Sequence, residues 1–425
     1  MLIGTLVSMT GPLLQEDMIV NVLEGLRIVE GAAFVAAPLG GMTLAQLGAD
    51  VIRFDAIGGG IDFNRWPCTD DGTSLFWMGL NKGKRSIAVD IRRSEGRELV
   101  VSLITAPGPD RGIFLSNFPA EGWLADEPLR ELRPDLLYVN VVGNPDGTTA
   151  VDYTVNASAG FPLSTGPVGG VRPVNHLLPA WDIAAGLTAT TGLLAAERFR
   201  TRTGVGQYVR IALADVAFAL VANLGYVAQA QLLGEDRPPL GNDLYGAFGR
   251  DFATKDGRRV MVVAISRGQW EALVAATAIG DRLAAIEEAF DVDFGREGDR
   301  FVARDALAAL IGPWCAARAL GEVAEVFTQH GVCWGPYQTF RQLADEDWRC
   351  SPANPMFADI DQPAVGRVRA PGSPISLSQV ARTTPAPAPL LGQHTVEILA
   401  EELGLSSAEI GKLHDDAVVA SPSRR

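Results

Sequence analysis

The first apolar segments of the chain predict a strand, a helix and a second strand. Residues 26–30, Leu-Arg-Ile-Val-Glu, are typical of a buried strand, and the helix can begin at Pro38, because the missing N–H of proline costs nothing there. That helix ends at Gly48, and residues 51–54 form the next strand. A strand–helix–strand unit pairs its strands in parallel by default. The first loop lacks the G-x-G-x-x-G fingerprint of dinucleotide-binding folds, so a nicotinamide or flavin dinucleotide is not expected.

Strands and helices continue to alternate as far as residue 213. Further strands are predicted at 112–116, 136–142 and 208–213, and further helices at 94–105 and from Asp182 to Gly204. Residues 143–178 are rich in Gly, Pro, Ser, Thr and Asn and are expected to form a long loop, which in a compact protein is more often functional than not. This pattern predicts an α/β fold with a mostly parallel sheet.

Beyond residue 213 the pattern changes. Helical segments are predicted at 214–233, 268–277 and 304–330, and two C-terminal helices, separated by Gly404 and Ser406, at 393–415. A strand is predicted at 260–265, a linker with a glycine-containing loop at 234–249, and an extended Pro-rich arm at 351–390. Residues 1–20 lack the basic start and the cleavage site of a signal peptide, so we expect them to be an N-terminal lead.

Composition excludes several classes of function. A chain of 425 residues predicts two domains, and its net charge of −14 argues against general nucleic-acid binding. No run of 18 apolar residues suggests a membrane span, so a cytoplasmic protein is expected. The four cysteines and four histidines are scattered in the sequence, which predicts neither a metal site nor a disulfide framework.

Basic residues are densest between Asn81 and Arg97, where Lys82, Lys84, Arg85 and three further arginines occur. A solvated charged surface is the usual explanation of such a run. A phosphate-binding patch is the alternative, because a compact basic cluster can hold a polyanion on an acidic protein.

Asp182 is the candidate nucleophile. It follows Pro179-Ala180-Trp181 at the start of an apolar helix, where the sequence predicts an N-cap position. Free backbone N–H groups and the helix dipole stabilise a carboxylate there, and an ionised carboxylate can attack a carbonyl carbon. An Asp at a helix start is, however, more often only a cap.

The sequence around Asp182 resembles the catalytic segment of the class III CoA-transferases. In that family an Asp nucleophile begins a Gly/Ala-rich helix that is followed by an Arg and a T-G-x-G-Q turn. The matching residues here are Gly186, Arg198 and residues 203–207, and further landmarks of the family are found at 23–29, 48–52, 84–87 and 117–118. The resemblance extends from about Leu23 to the C-terminus.

The resemblance implies a Rossmann-like large domain with a mostly parallel sheet, a smaller α+β domain, and two subunits interlocked as a homodimer. On this chain the large domain would comprise 21–233 and 340–425, and the small domain with its linkers 234–339. Asp182 would be the catalytic nucleophile. The residues that would contact CoA are Ala33, Phe34, Val35, Ala36, Arg53, Lys84, Arg85 and Asn117. Small residues at 31–37 favour close approach of a ligand or, equally, tight helix–sheet packing.

Three stretches, at 34–48, 179–182 and 245–251, are most similar to family members that move CoA between the C1 and C4 carboxyls of mesaconate. The implied reaction proceeds through an aspartyl anhydride and an aspartyl-CoA thioester, and backbone N–H groups of the first loop would stabilise the oxyanions. It needs no metal and no tightly bound cofactor, since CoA is part of the substrate. The alternative is intermolecular transfer with another dicarboxylate donor such as succinyl-CoA.

Two other functions are less favoured by the sequence. Racemases of the same fold use a His-Asp pair, which is Val151-Asp152 here, and valine cannot move a proton. A non-catalytic CoA-binding protein would have no need of Asp182.

Overall fold

The structure is a computed structural model that describes residues 21–422, so the predicted lead at 1–20 lies outside the described residues. The chain divides into two compact units. Among the described residues, the first contains 21–152, 179–217 and 351–422, and the second contains 153–178 and 218–350. The second unit therefore includes residues 153–178, 218–233 and 340–350, which the predicted division placed in the large domain.

The strands and helices are as follows. The strands are β1 (Arg27–Gly31), β2 (Asp50–Asp55), β3 (Arg85–Val89), β4 (Ile113–Ser116), β5 (Leu137–Val142), β6 (Gln207–Ala212), β7 (Phe248–Ala253), β8 (Arg259–Ala264), β9 (Cys333–Pro336), β10 (Phe357–Gln362), β11 (Gly366–Pro371) and β12 (Val419–Ala420). The helices are α1 (Ala36–Gln46), α2 (Leu75–Leu80), α3 (Ser94–Ile104), α4 (Asp126–Leu132), α5 (Asp152–Ser158), α6 (Phe161–Ser164), α7 (Ala180–Thr203), α8 (Leu213–Asn223), α9 (Tyr226–Leu233), α10 (Arg267–Thr277), α11 (Leu283–Phe290), α12 (Glu297–Val302), α13 (Arg304–Ala316), α14 (Leu320–His330), α15 (Phe340–Glu346), α16 (Thr395–Leu403) and α17 (Ser407–Asp415).

The first unit is built on a seven-stranded sheet with the order β12-β3-β2-β1-β4-β5-β6. All neighbouring strands pair in parallel except β12, which is antiparallel to β3. Val29 at the centre pairs with Ile52 on one side and Phe114 on the other, and all three side chains are buried. The predicted α/β fold with a mostly parallel sheet is confirmed.

Helices α1 and α7 pack against each other and against the sheet. Glycines make their close approach possible: a Cβ on Gly186 would lie 2.5 Å from the carbonyl oxygen of Ala36, and one on Gly40 would lie 3.1 Å from the carbonyl oxygen of Gly186. Gly40 and Gly186 therefore permit tight packing of this helix pair.

The second unit has its own antiparallel sheet, ordered β7-β8-β9, and its own core. Phe248 and Val262 on the sheet pack with side chains from α10, α13 and α14, including Leu307 and Phe327. Among the described residues no single helix is both long and apolar enough to cross a membrane, although two bent helix pairs meet that test when each pair is taken together.

Four predicted elements differ from the structure, one of them the helical segment at 304–330, which is two helices, α13 and α14. The loop at 143–178 contains α5 and α6, which the sequence hid because Asp152 and Asn156 occupy buried positions of the α5 turn. The single helix predicted at 214–233 is broken at Gly225, which has a φ of +85°. The extended arm at 351–390 contains the antiparallel hairpin of β10 and β11.

Candidate active site

Asp182 is the third residue of α7, not its N-cap. The cap position belongs to Pro179, which offers no side-chain hydrogen bond, so the predicted N-cap was wrong by three residues. The signal was ambiguous because Asp is favoured both at the cap and within the first turn. The carboxyl group of Asp182 receives no hydrogen bond from the described residues and is affected by its burial and by one neighbouring charge. It is therefore available to a ligand.

That neighbouring charge is Asp152, which performs the capping that Asp182 does not. Its Oδ2 atom accepts hydrogen bonds from the backbone N–H groups of Trp181, at 2.8 Å, and Asp182, at 3.0 Å. Asp152 is 2% exposed, and its Oδ1 atom is buried with no hydrogen-bond partner among the described residues. The first turn of α7 is thus held by a carboxylate that comes from a separate segment of the chain.

Burial, together with the charge of Asp152, raises the pKa of Asp182 to about 6. Both effects disfavour the ionised form: burial removes water from it, and a second carboxylate repels it. At neutral pH Asp182 remains mostly ionised, but it is a more basic carboxylate than an ordinary aspartate. Higher basicity favours nucleophilic attack.

The loop between β1 and α1 is fixed by side chains from two other segments. Asn117, directly after β4, accepts from the N–H of Ala33 at 2.9 Å and donates to its carbonyl oxygen at 2.8 Å. Asp62 Oδ2 accepts from the N–H of Phe34 at 2.9 Å. Phe34 has a φ of +64°, a strained conformation for an aromatic residue, which these hydrogen bonds help to maintain.

Phe34 is the surface residue of this loop. Its side chain is 36% exposed, whereas Ala33, Val35 and Ala36 are buried. The guanidinium of Arg65 lies 5.5 Å from the centre of the Phe34 ring. Of the predicted loop contacts, Phe34 can offer its side chain to a ligand, and the others can offer mainly backbone.

The packing of α1 on α7 brings this loop and Asp182 to the same end of the helix pair. Ala36 meets Gly186, and Thr190 Oγ1, one turn further along α7, donates to the carbonyl oxygen of Gly40 at 3.3 Å. The two helices therefore run in the same direction. Asp182 lies one turn before Gly186, and the loop lies just before Ala36, so the structure brings together two parts of the predicted site that are far apart in sequence.

Arg53 and Lys84 are buried in an ion-pair network. The Arg53 guanidinium pairs with Asp55 at 2.9 Å, Glu30 at 3.3 Å and Asp62 at 3.5 Å. Lys84 Nζ pairs with Glu30 at 2.8 Å and also donates to the carbonyl oxygen of Pro38 at 2.9 Å. Because Asp62 holds Phe34, and Pro38 lies in α1, the network positions the loop; direct contact of Arg53 and Lys84 with CoA stays a prediction.

Arg85 points away from this network, since neighbouring residues of a strand face opposite sides of the sheet. Its Nη2 atom pairs with Asp50 at 2.7 Å and Glu402 at 2.8 Å, and its Nη1 atom pairs with Glu397 at 3.0 Å. These contacts join β3 to β2 and α16. The structure does not bring Arg85 together with Asp182, and its proposed contact with CoA also stays a prediction.

Sequence reasoning missed the roles of Asp152 and Asp62. Asp152 was considered only beside Val151 as a proton-transfer pair, and nothing in its spacing showed that it would accept from residues 181 and 182. Asp62 lies in a glycine-rich turn with no periodic signal. Within residues 21–422 no group of three His, Cys, Asp or Glu side chains is placed to hold a metal ion.

Comparison with known proteins identifies the family of the chain. A family model described as CoA-transferase family III matches residues 23–395. The chain is 56% identical over 405 residues to 2-methylfumaryl-CoA isomerase of Chloroflexus aurantiacus, covering 95% of this chain and 99% of that protein. It is 29% identical to succinyl-CoA:mesaconate CoA-transferase of Haloarcula marismortui, covering 89% of this chain and 96% of that protein.

The fold is also similar to a solved structure. A CAIB/BAIF family protein from Brucella suis superimposes with a TM-score of 0.72 at 27% sequence identity, covering 90% of this chain and 99% of that one. The family match spans far more than half of the chain, and the similarity to the isomerase extends over nearly all of it. The chain therefore belongs to CoA-transferase family III.

Proposed function

We propose that this protein is an intramolecular CoA transferase that moves CoA between the C1 and C4 carboxyls of mesaconate, converting 2-methylfumaryl-CoA into 3-methylfumaryl-CoA. The observation that carries this proposal is the 56% identity over 95% of the chain to 2-methylfumaryl-CoA isomerase. The half-buried, unpaired carboxyl of Asp182, with its pKa raised to about 6 by burial and by Asp152, supports the chemistry.

The reaction begins when a carboxylate oxygen of Asp182 attacks the C1 thioester carbonyl. A C–O bond forms, the C–S bond breaks and CoA leaves as a thiolate, which gives a mixed anhydride between Asp182 and mesaconate. The thiolate then attacks the carbonyl carbon of Asp182. This step releases the C1 carboxylate of mesaconate and leaves an aspartyl-CoA thioester.

The second half repeats these steps at the other end of the acid. The C4 carboxylate attacks the aspartyl thioester, CoA thiolate leaves again, and a new anhydride forms at C4. Attack of the thiolate on the C4 carbonyl releases the product and restores the Asp182 carboxylate. Every intermediate is a thioester or an anhydride, so an activated acyl group is present throughout. The cycle therefore balances without a net proton transfer.

The oxyanions of these steps need hydrogen-bond donors near Asp182. The N–H groups of Ala33 and Phe34 already donate to Asn117 and Asp62. We therefore assign the donor role to the N–H groups of Ala36 and Ala37, because the first turn of a helix has no internal acceptors for its N–H groups. One such donor contributes about 3–4 kcal/mol to catalysis in other enzymes.

Intramolecular transfer is favoured physically, because a retained dicarboxylate has a high effective concentration and needs only to turn around. The exposed, apolar side chain of Phe34 suits the branched C5 chain. The alternative is intermolecular transfer from a donor such as succinyl-CoA, which the 29% identity to succinyl-CoA:mesaconate CoA-transferase supports.

The test supplies mesaconyl-C1-CoA together with ¹³C-labelled free mesaconate. We expect the C4 thioester to form without label. Label entering the C4 thioester at the rate of turnover would show exchange with solution and would replace the proposal with the intermolecular reaction. No conversion of mesaconyl-CoA, with transfer from another acyl-CoA to another acid, would overturn the substrate and retain the reaction class.

The proposal includes two further assignments. The proposed CoA-contacting residues are Ala33, Phe34, Val35, Ala36 and Asn117 around the loop, together with Arg53, Lys84 and Arg85, whose side chains are engaged in ion pairs. The active unit is a homodimer, as the family resemblance implies.

A further inference from the structure

Two carboxylates share the start of α7. Asp152 Oδ2 lies 2.8 Å from the backbone nitrogen of Trp181 and 3.0 Å from that of Asp182, the residue whose side chain is the proposed nucleophile. Asp152 is 2% exposed, so its charge acts at short range with little screening by water. Within the described residues no cation pairs with the Asp182 carboxyl, and the Oδ1 atom of Asp152 has no hydrogen-bond partner.

Among the described residues, no cation is one of the groups that shift the pKa of the Asp182 carboxyl. Helix α1, which packs along α7, has no charged residue. Strands β5 and β6 contribute Tyr138, Tyr208 and Arg210, and the guanidinium of Arg210 donates to the carbonyl oxygens of Pro145 and Asn144. Burial and the charge of Asp152 are the influences on the Asp182 carboxyl.

We propose that Asp152 is a positioning residue that also favours acylation of Asp182, by holding its backbone and by placing a negative charge beside its carboxylate. This inference rests on the proposed function. When Asp182 attacks a thioester, its oxygen forms the new bond to carbon, the C–S bond breaks and the negative charge leaves with the CoA thiolate. Asp182 becomes a neutral acyl group, and its repulsion by Asp152 disappears.

Protonation and acylation both remove the negative charge of Asp182. The repulsion between Asp152 and Asp182 therefore raises the pKa of Asp182 and also favours its acylation. Each unit by which Asp152 raises the pKa of Asp182 corresponds to on the order of a tenfold shift of the acylation equilibrium toward the covalent intermediate. Asp152 therefore destabilises the resting carboxylate relative to the anhydride and the aspartyl-CoA thioester. A residue that only capped the helix would not have this effect.

The variant Asp152→Asn separates the two roles. The amide oxygen can still accept from the N–H groups of Trp181 and Asp182, but the charge is lost. We expect the acidic limb of the kcat/KM profile to move from about pH 6 toward the ordinary aspartate value of 3.8, only part of the way because burial remains. We also expect a several-fold smaller fraction of aspartyl-CoA thioester at Asp182 in the steady state, measured by hydroxylamine trapping and peptide mass spectrometry.

Asp256→Asn is the matched control. Asp256 is exposed, and its carboxylate likewise accepts from the backbone N–H at the start of another helix, at Leu320 in α14. In Asp256→Asn we expect the acidic midpoint of the kcat/KM profile and the trapped fraction of aspartyl-CoA thioester at Asp182 to equal those of the wild type. If Asp152→Asn also left both quantities unchanged while the wild type converted mesaconyl-CoA, the inference would be overturned and the proposed function would stand.

A measurement independent of turnover tests the inference even if the proposed function fails. Carbodiimide modifies protonated carboxyls, and the extent of labelling at Asp182 across pH reports its ionisation directly in the unmodified chain. We expect the wild-type midpoint near 6 and a lower midpoint in Asp152→Asn. A wild-type midpoint at about 3.8 contradicts the inference, whether or not Asp152→Asn folds.

Discussion

Asp182 combines a reactive carboxyl with a backbone that another aspartate holds in place. Its side chain is half-buried and accepts no hydrogen bond from the described residues, and its N–H donates to Asp152. A residue arranged in this way can change its covalent state without breaking the contacts that anchor the helix. At the scale of single residues, chemistry and structural support are therefore divided between two aspartates.

Replacing Asp182 should remove activity and leave the site intact. Asp182→Asn preserves size and polarity but cannot form the anhydride, so we expect kcat to fall on the order of 10³-fold or more. Binding of CoA, followed by calorimetry, should change little. Full turnover in Asp182→Asn or Asp182→Ala would exclude the aspartyl mechanism.

The same substitution should stabilise the fold at neutral pH. The pKa of Asp182 is raised to about 6, so the folded state pays for an ionised carboxyl above that pH. We expect Asp182→Asn to increase the free energy of unfolding by about 1–3 kcal/mol at pH 7.5. The gain should shrink as the pH falls from about 6 toward 3.8, where Asp182 becomes protonated in the folded state. Urea unfolding at several pH values measures this, and an equal gain at pH 4 would contradict it.

Replacing Lys84 tests whether its buried charge stabilises the fold or contacts CoA. Its amine is fully buried against Glu30, and burial lowers its pKa to about 8. Lys84→Met leaves Glu30 buried without this partner, so we expect a loss of about 3–5 kcal/mol of stability. Lys412→Met, which removes an exposed ion pair with Asp416, is the control and should cost less than about 1 kcal/mol. A raised KM for the CoA thioester at unchanged stability would instead indicate that Lys84 contacts CoA.

At the scale of elements, the α1–α7 pair determines the geometry of the site. The helices run in the same direction with their backbones in close contact at Ala36 and Gly186. This contact fixes the distance between the loop before α1 and the first turn of α7. The loop is then fixed in orientation by Asn117 and Asp62.

A methyl group at Gly186 should disturb both stability and turnover. Its Cβ would lie 2.5 Å from the backbone oxygen of Ala36, so the helices must separate. We expect Gly186→Ala to lose about 1–3 kcal/mol of stability and to lower kcat more than it raises KM, because Asp182 moves relative to the loop. Gly411→Ala in α17 is the control: no atom lies within 4 Å of its Cβ position, so it should gain about 0.5–1 kcal/mol from helix propensity. Unchanged kcat in Gly186→Ala would show that this helix spacing does not control catalysis.

At the scale of the whole molecule, the chain consists of two compact units, each with its own sheet and core. The first unit carries Asp182, Asp152 and the loop, and it is assembled from three separate stretches of the chain. The C-terminal stretch is joined to the N-terminal stretch of this unit by the ion pairs of Arg85, in β3, with Glu397 and Glu402, in α16.

The homodimer implied by the family resemblance remains a prediction. We expect light scattering coupled to size-exclusion chromatography to give twice the chain mass of 45.1 kDa at micromolar concentration. The basis is the architecture of the family together with the long Pro-rich segment near the C-terminus. A stable and active monomer would contradict the expectation. A monomer without activity, recovering activity as concentration rises, would support it.

The sequence by itself determined much of this protein. The alternation of strands and helices predicted the parallel α/β sheet, since apolar periodicity reflects which faces are buried. The motif around Asp182 and the landmarks spaced along the chain identified the family, which the match to residues 23–395 confirmed. These signals depend on residues that are close together in the chain, so they can be recognised from the sequence alone.

The tertiary structure decided what the charged residues do. Lys84 and Arg85 lie side by side in a basic run of the sequence, but folding buries Lys84 in an ion-pair network with Glu30 and Arg53 and turns Arg85 toward α16. Asp152 gained its role only when α5 brought it to the backbone of Asp182, 30 residues away in sequence. Charge partners and pKa values depend on which distant segments meet and how much water they exclude, and neither quantity is encoded in a local pattern.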